Sequence, residues 1–470
     1  MRDAGCAAGR ARHLECCACD NTAPHKMQKE KMMSLNDTPR AGRLHIGIYG
    51  RRNAGKSSLI NALTGQDIAL VSDAPGTTTD PIYKSMELHP VGPVVFIDTA
   101  GFDDEGALGR LRVERTAGVV DKTDVGIIVI DNEDLEKAAP AAAVLAEEKL
   151  WAEKLAEKNV PLIFVLNKCD ETQVPGEDNS PATAEAADAG LQDHDRDEVA
   201  TADAAAAAIA ELAGKWPVIK VSALHKTGIE ELRKAIEQSV PEDFLREKIL
   251  GDMVEEGGLV LLVMPQDIQA PKGRLILPQV QTLRELLDRK CTAVATTADG
   301  FERALSALNR APDLIITDSQ CFGQVYEKKP AESALTSFSV LFAAYKGDIE
   351  KFVSGASLLD DMTENSRVLI AEACTHVPLS EDIGREKIPN LLRKKFGKGI
   401  EVVNVCGNDF PSAEELKGFD LVIHCGACMF NRKHVMSRIA AAEAAGVPIT
   451  NYGVVLAKLT GILDKIELPG

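Results

Sequence analysis

An α/β fold in three parts, an N-terminal P-loop domain followed by two smaller α/β domains, is what this sequence predicts. Three observations predict it. Short apolar runs alternate with amphipathic stretches from Leu44 onward, which is the pattern of a mostly parallel sheet with helices on its faces. A Gly-rich loop follows the first run directly. Two further series of runs, after Pro241 and after about Gly347, repeat the alternation without a second such loop. At 470 residues the chain has room for about three domains of ordinary size.

The elements follow in order. Residues 1–40 lack hydrophobic periodicity and any apolar signal-peptide core. Met32 and Met33 stand just ahead of the first strand, so this segment reads as a disordered extension or the product of an upstream start codon, and it is assigned no function. The P-loop domain spans 41–241, with buried-strand candidates at 44–49, 94–97, 125–130, 162–166 and 218–221. An acidic, Ala-rich segment at 171–214 interrupts it as a solvated insertion whose Ala-rich end favours helix. The second domain, 242–346, has strands at 259–264, 293–296 and 314–317, and helices at 280–287 and 301–308. It carries no catalytic cluster, which fits a packing or oligomerisation role. The third, 347–470, has strands at 368–371, 401–405 and 421–423 and a helix at 432–445.

Composition narrows the classes. A formal net charge of −18 argues against a broad surface for nucleic acid or anionic membrane, because such binding neutralises phosphates with Lys and Arg. No apolar run reaches the ~18–20 residues of a membrane-spanning helix. The expectation is a soluble protein that binds neither nucleic acid nor membrane. Eleven cysteines scattered over a long chain do not make a disulfide framework and fit a reducing, cytoplasmic compartment in which thiolates stay available for metal.

The loop after the first strand, Gly50-Arg-Arg-Asn53-Ala54-Gly55-Lys56-Ser57, is a complete phosphate-binding signature leading into a helix that begins near Ser58. Its glycines let backbone N–H groups curl round a phosphate at the helix N-terminus. Lys56 is expected to bridge the β- and γ-phosphates, and Ser57 to ligate Mg²⁺. Asp98-Thr-Ala-Gly101 ends a later strand; Asp98 suits a water-mediated Mg²⁺ contact and the Gly101 N–H a γ-phosphate. Asn167-Lys168-Cys169-Asp170 selects the base, since Asp170 accepts from guanine N1 and N2, which adenine cannot match. Lys168 packs along the ring, and Ser222-Ala223 offers a backbone N–H to guanine O6. Thr78 lies where a switch loop belongs and is the expected second Mg²⁺ ligand. The nucleotide is GTP. No residue after Gly101 can orient water, because Phe102 stands there, so slow intrinsic hydrolysis and a switch role are expected.

Cys374-Thr-His376 and His424-Cys425-Gly-Ala-Cys428 follow two strands of the third domain. In an open parallel sheet ligands gather beyond the carboxyl ends of strands, so the two groups converge despite the 47 residues between His376 and His424. Gly426 and Ala427 keep the Cys-x-x-Cys loop small enough for both thiolates to face one centre. By residue type alone, zinc on Cys₃His and an iron–sulfur cluster on three thiolates with an open fourth position are equally good occupants.

The GTP motifs resemble the TrmE-Era-EngA branch of GTPases. In its potassium-activated members the residue matching Asn53 helps hold K⁺ beside the phosphates, which implies K⁺ in the place of an arginine finger. With the Cys-x-His…His-Cys-x-x-Cys pattern, the chain from about Leu35 to Gly470 resembles the HydF-type [FeFe]-hydrogenase maturation GTPases. The resemblance implies a dimerisation domain, then a cluster domain carrying [4Fe–4S] on Cys374, Cys425 and Cys428. His376 or His424 then fills the labile fourth site or stands behind it. It also implies a homodimeric scaffold that takes a diiron precursor built with radical-SAM maturases and delivers it to apo-[FeFe]-hydrogenase. The rival readings are a ribosome-assembly or tRNA-modification GTPase with a structural zinc, and a redox enzyme using the cluster for electron transfer.

Overall fold

The computed structural model describes residues 42–65, 81–102, 115–137, 145–169, 207, 209–242, 244, 248–265, 275–373, 383–407, 409–427 and 430–469. All of them belong to one compact unit, Thr38–Gly470. Three sheets organise it. The first has six strands, β1 (Leu44–Gly50), β2 (Ile82–Leu88), β3 (Gly92–Asp98), β4 (Val125–Asp131), β5 (Leu162–Asn167) and β6 (Val218–Lys220), in the order β2-β3-β1-β4-β5-β6. Every residue of β1, β4 and β5 is buried, as expected of central parallel strands covered on both faces. Two apolar clusters make those faces. Ile46, Ile48 and Phe96 pack beneath the helices Lys56–Thr64 and Ile229–Gln238, and Tyr49, Ile128 and Phe164 beneath Ala146–Glu157.

One strand among the described residues, β2, runs antiparallel and was not expected. It pairs with β3 in the register Ile82↔Asp98 to Leu88↔Gly92, and it reads Ile-Tyr-Lys-Ser-Met-Glu-Leu, too polar to register as a buried run. It is an edge strand, where alternation replaces continuous hydrophobicity.

The second sheet contains β7 (Leu259–Val263), β8 (Thr292–Thr296), β9 (Leu314–Thr317) and β10 (Ala334–Ser337), all parallel, in the order β10-β9-β7-β8. The third contains β11 (Arg367–Glu372), β12 (Glu401–Cys406), β13 (Leu421–His424) and β14 (Ile449–Asn451), also parallel, in the order β12-β11-β13-β14. β10 and β14 escaped the sequence reading because four and three residues are too few to show a period.

These two sheets share a core. Leu261, Val263 and Ile315 of the second, Leu369, Val422 and Ile449 of the third, and Phe352 between them fall in one apolar cluster. The helices Phe338–Lys346 and Ile349–Ser357 make the join, with Gly347 ending the first. The chain then returns near its end: Glu467 N–H donates to the Leu335 carbonyl at 2.8 Å, and Thr336 Oγ1 donates to the Glu467 carbonyl at 2.9 Å.

Candidate functional sites: a phosphate loop and a cysteine loop

At the carboxyl end of β1 the chain turns through Gly50, φ 150°, and Gly55, φ 89°, into the helix Lys56–Thr64. Both positions also admit nothing larger than hydrogen. A Cβ on Gly50 would meet the Val129 carbonyl oxygen at 2.4 Å, and one on Gly55 would meet Asn167 Nδ2 at 2.1 Å. Lys56 reaches back over the loop and donates to the Gly50 and Arg51 carbonyls at 2.9 and 2.6 Å, so its ammonium is held over the concavity of backbone N–H groups. Ser57 Oγ donates to Asp98 Oδ2 at 2.6 Å, which places two of the three expected Mg²⁺-site residues in contact. Asn53 is exposed with φ 61°, at the crest of the loop beside the buried Ala54; Ser58 stands in the first turn of the helix, and Gly101 is buried beyond β3.

Asn167, at the end of β5, ties the site together. Its Nδ2 donates to the Ala54 carbonyl at 2.9 Å, and its Oδ1 accepts from the Ala223 N–H at 3.1 Å. The phosphate loop and the Ser222–Ala223 turn are therefore joined through one amide. Lys168, φ 62°, pairs with Asp131 Oδ2 at 2.5 Å. Ser222 is fully buried, and its Oγ accepts from His225 N at 3.1 Å. Thr78 and Asp170 lie outside the described residues.

Two residues here were missed by the sequence reading. Asp131 ends β4 on the same edge of the sheet as Asn167, its register partner, a placement that needs the strand order to be known. Lys84 of β2 is buried, its Nζ has no hydrogen-bond partner, and burial lowers its pKa against the opposing pull of Asp98. Its only sequence signal is a lysine inside an alternating strand that itself went unread.

In the third sheet β11 and β13 are neighbours, so the segments that follow them leave from adjacent strand ends. His424 ends β13, and Cys425 begins the loop. Cys425 N–H donates to the Ala371 carbonyl at 2.9 Å, and its Sγ accepts from the backbone N–H groups of Ala373, 3.0 Å, and Ala427, 3.4 Å. Two such donors stabilise a thiolate. Ala427 turns the loop with φ 50°. Cys374, His376 and Cys428 lie outside the described residues, and among the described ones no group of three or more Cys, His, Asp or Glu gathers as a metal site.

His424 is wholly buried with both ring nitrogens engaged. Nδ1–H donates to the Cys425 carbonyl at 2.8 Å, and Nε2 accepts from Arg438 Nη1 at 3.0 Å. Burial, helped by the Arg438 charge, pushes its pKa down to about 3. It is a neutral strut. Arg438 and His434 come from the helix Arg432–Ala444, and burial pushes them down to about 10 and about 2. Among the described residues, Arg438 Nε and both ring nitrogens of His434 are buried without a hydrogen-bond partner. Cys291 and Cys321, which lie outside the two cysteine groups, are buried.

The same helix touches the first domain. Asn431 caps it by accepting from His434 N–H at 3.3 Å, while its Nδ2 donates to the Lys122 carbonyl, 2.8 Å, and to Asp124 Oδ2, 3.2 Å. Lys433 Nζ donates to the Lys158 carbonyl at 2.5 Å. Burial raises Asp124 to about 6.

Comparison with known proteins follows the three sheets. Residues 45–168 match the 50S ribosome-binding GTPase family, 249–347 the hydrogen maturase F dimerization domain, and 350–468 the hydrogen maturase F tetramerization domain. The tRNA modification GTPase MnmE of Laribacter hongkongensis is 40% identical over 130 residues, 27% of this chain and 27% of that protein. GTPase Der of Wolinella succinogenes is 34% identical over 148 residues, 31% of this chain and 29% of Der. The chain thus spans less than a third of the length of these curated relatives. Among solved structures, Aquifex aeolicus Era bound to GDP and AlF4⁻ aligns at 17% identity over 56% of this chain and 98% of Era, with a TM-score of 0.31.

Proposed function

This chain belongs to the hydrogen maturase F family, whose dimerization and tetramerization domains follow its GTPase domain, and on that premise we propose that it is a GTP-hydrolysing scaffold and carrier in assembly of the [FeFe]-hydrogenase active site. The observation that carries the reading is coincidence: the family's tetramerization match, 350–468, covers the segment bearing both cysteine groups, on a chain with a full set of GTP motifs.

In this reading the loop N–H groups and Lys56 hold the β- and γ-phosphates, and Lys56 exchanges its two loop carbonyls for phosphate oxygens. Ser57 and Thr78 ligate Mg²⁺ with Asp98 behind them. Asn167 keeps the phosphate and base loops in register, and Asp170 and Lys168 take the guanine. Asn53 offers a K⁺ ligand at the loop crest, where added positive charge lowers the barrier to phosphoryl transfer.

For the cysteine loop, the described residues fit an iron–sulfur cluster. Cys425 is turned toward two N–H donors, and Arg438, which holds the adjoining His424, has a nitrogen without a partner among the described residues. Cys374, Cys425 and Cys428 hold [4Fe–4S], which supplies an exchangeable iron position to which cargo can attach. His376 suits that fourth position, whereas His424, with both nitrogens taken, stands behind the ligands. The cargo is a diiron precursor made with radical-SAM maturases and passed to apo-hydrogenase. The assembly is a homo-oligomer in the cytoplasm, independent of nucleic acid and membrane. Among the described residues no helix is long and apolar enough to cross a membrane. Division at 41–241, 242–346 and 347–470 assigns these tasks to separate segments.

The test is anaerobic iron, sulfide and zinc analysis with EPR of the reduced protein. Iron and sulfide with a [4Fe–4S]⁺ signal is the expected result. Stoichiometric zinc, with no cluster after reconstitution, would overturn the reading in favour of a GTPase with a structural zinc. Cys425→Ser is expected to abolish loading and leave GTP hydrolysis nearly unchanged; equal loss of both would contradict separate sites.

A further inference from the structure

Arg438 is a buried cation with no carboxylate partner among the described residues. The residue is 4% exposed. Nη1 donates to His424 Nε2 at 3.0 Å, Nη2 donates to the Gly407 carbonyl, and Nε has no partner. The guanidinium lies 4.9 Å from the ring of Phe410 and 5.0 Å from that of Phe430, so aromatic surface surrounds it where solvent would otherwise be. Among the described residues no carboxylate lies within ion-pair distance of it. Asp121, whose charge it feels, already pairs with Lys158 at 3.1 Å.

An arginine cannot shed its proton at neutral pH, and a buried charge without an opposite charge is strongly unfavourable. Two facts point to where the opposite charge belongs. Arg438 reaches the cysteine loop through His424, whose Nδ1–H donates at 2.8 Å to the carbonyl of Cys425. The Cys425 Sγ is also fixed by two backbone N–H donors on the loop that His424, held by Arg438, closes from behind. Two N–H donors and a nearby buried cation favour negative charge on the Cys425 sulfur.

We propose that Arg438 is the counter-ion and positioning residue of an anionic metal–thiolate centre seated on Cys425. This rests on the reading of the cysteine loop given above and adds a charge requirement to it. A [4Fe–4S]²⁺ core on three thiolates is a net anion, and one-electron reduction makes it more so. The guanidinium therefore favours the loaded over the empty site and the reduced over the oxidised centre. The link through His424 makes Arg438 positional as well as electrostatic, because its fork keeps the imidazole turned to the Cys425 carbonyl.

The experiment uses the full chain, stripped with chelator and reconstituted anaerobically with iron and sulfide. Melting temperature is measured before and after loading for the wild type, Arg438→Met and Arg438→Lys, with the midpoint potential of each loaded form. Methionine keeps the stem packing without the charge, and lysine restores the charge without the fork. The expected result has three parts. Empty Arg438→Met is at least as stable as the empty wild type. It loses most of the melting-temperature gain on loading, and its potential moves negative. Arg438→Lys recovers the potential but not the full gain. A merely structural arginine would lower both melting temperatures alike, leaving gain and potential unchanged, and that result overturns the proposal. If the wild type takes up no iron and sulfide, the reading of the loop fails and the counter-ion with it. If the wild type loads normally and Arg438→Met gains as much, only the role of Arg438 fails.

Discussion

Gly55 shows how much one position can carry. It has φ 89°, a conformation that L side chains rarely adopt, and a Cβ there would strike Asn167 Nδ2, the atom that ties the phosphate loop to the base-side turn. Gly55→Ala should therefore abolish nucleotide binding rather than weaken it, as fluorescent GDP titration would show; retained binding within about tenfold would contradict the argument. Asn167→Ala tests the tie itself. It removes one hydrogen bond to each loop and leaves a buried carbonyl and N–H without partners, at about 1–3 kcal/mol each. Weaker GTP and GDP binding, with a fold that still melts cooperatively, is the expected outcome. Such residues are legible in sequence because the chemistry of phosphate and guanine recognition demands particular side chains in contiguous runs. Asp131, Lys84 and Arg438 are not, since each acquires its role only from neighbours supplied by other strands.

Among the elements, the helix Arg432–Ala444 links two domains. Its N-cap grips the first domain, and Arg438 in its second turn holds His424. Two of the groups around it make stability depend on pH. His424 and His434 have pKa values pushed below the ordinary 6.5, so their contribution is fully present above about pH 6.5 and is lost as pH falls below it. Each adds up to about 1.4 kcal/mol per pH unit to the slope. His434→Phe should flatten the loss of stability between pH 6.5 and 4.5, measured by urea unfolding; an unchanged slope would mean that His434 is solvated. Asp124 runs the other way. Its pKa is raised to about 6, so its contribution is full below the unfolded value of 3.8 and disappears as pH rises through about 6. Asp124→Asn keeps an oxygen for the His45 and Asn431 N–H donors without the buried charge. It should stabilise the protein at pH 7–8 by on the order of 1–2 kcal/mol and remove that part of the pH dependence. The sequence showed this helix at 432–445 but neither of its grips, because periodicity reports that a face is buried and not what it meets.

For the whole molecule, the shared core of the two C-terminal sheets predicts that they fold as one unit. They share the cluster around Phe352, and the last residues of the chain pair with β10 of the second sheet. Phe352→Ala should cost about 3–5 kcal/mol and lower a single calorimetric transition for both sheets. Two separate transitions, only one of them shifted, would show that the shared core is energetically minor.

From the chain alone came the α/β class, the three successive units, most parallel strands within a residue or two, the GTP site and the two cysteine groups, since each depends on local period or on residues spaced a few apart. The tertiary structure decided what those signals cannot carry. It placed β2 antiparallel at an edge, merged the cores of the second and third sheets, and set the N-cap Asn431 on the base of the first. It also set the buried Arg438 on the ring of His424, next to Cys425 in the chain. Pairing, burial and uncompensated charge are properties of neighbours in space, and no period along a chain records who those neighbours are.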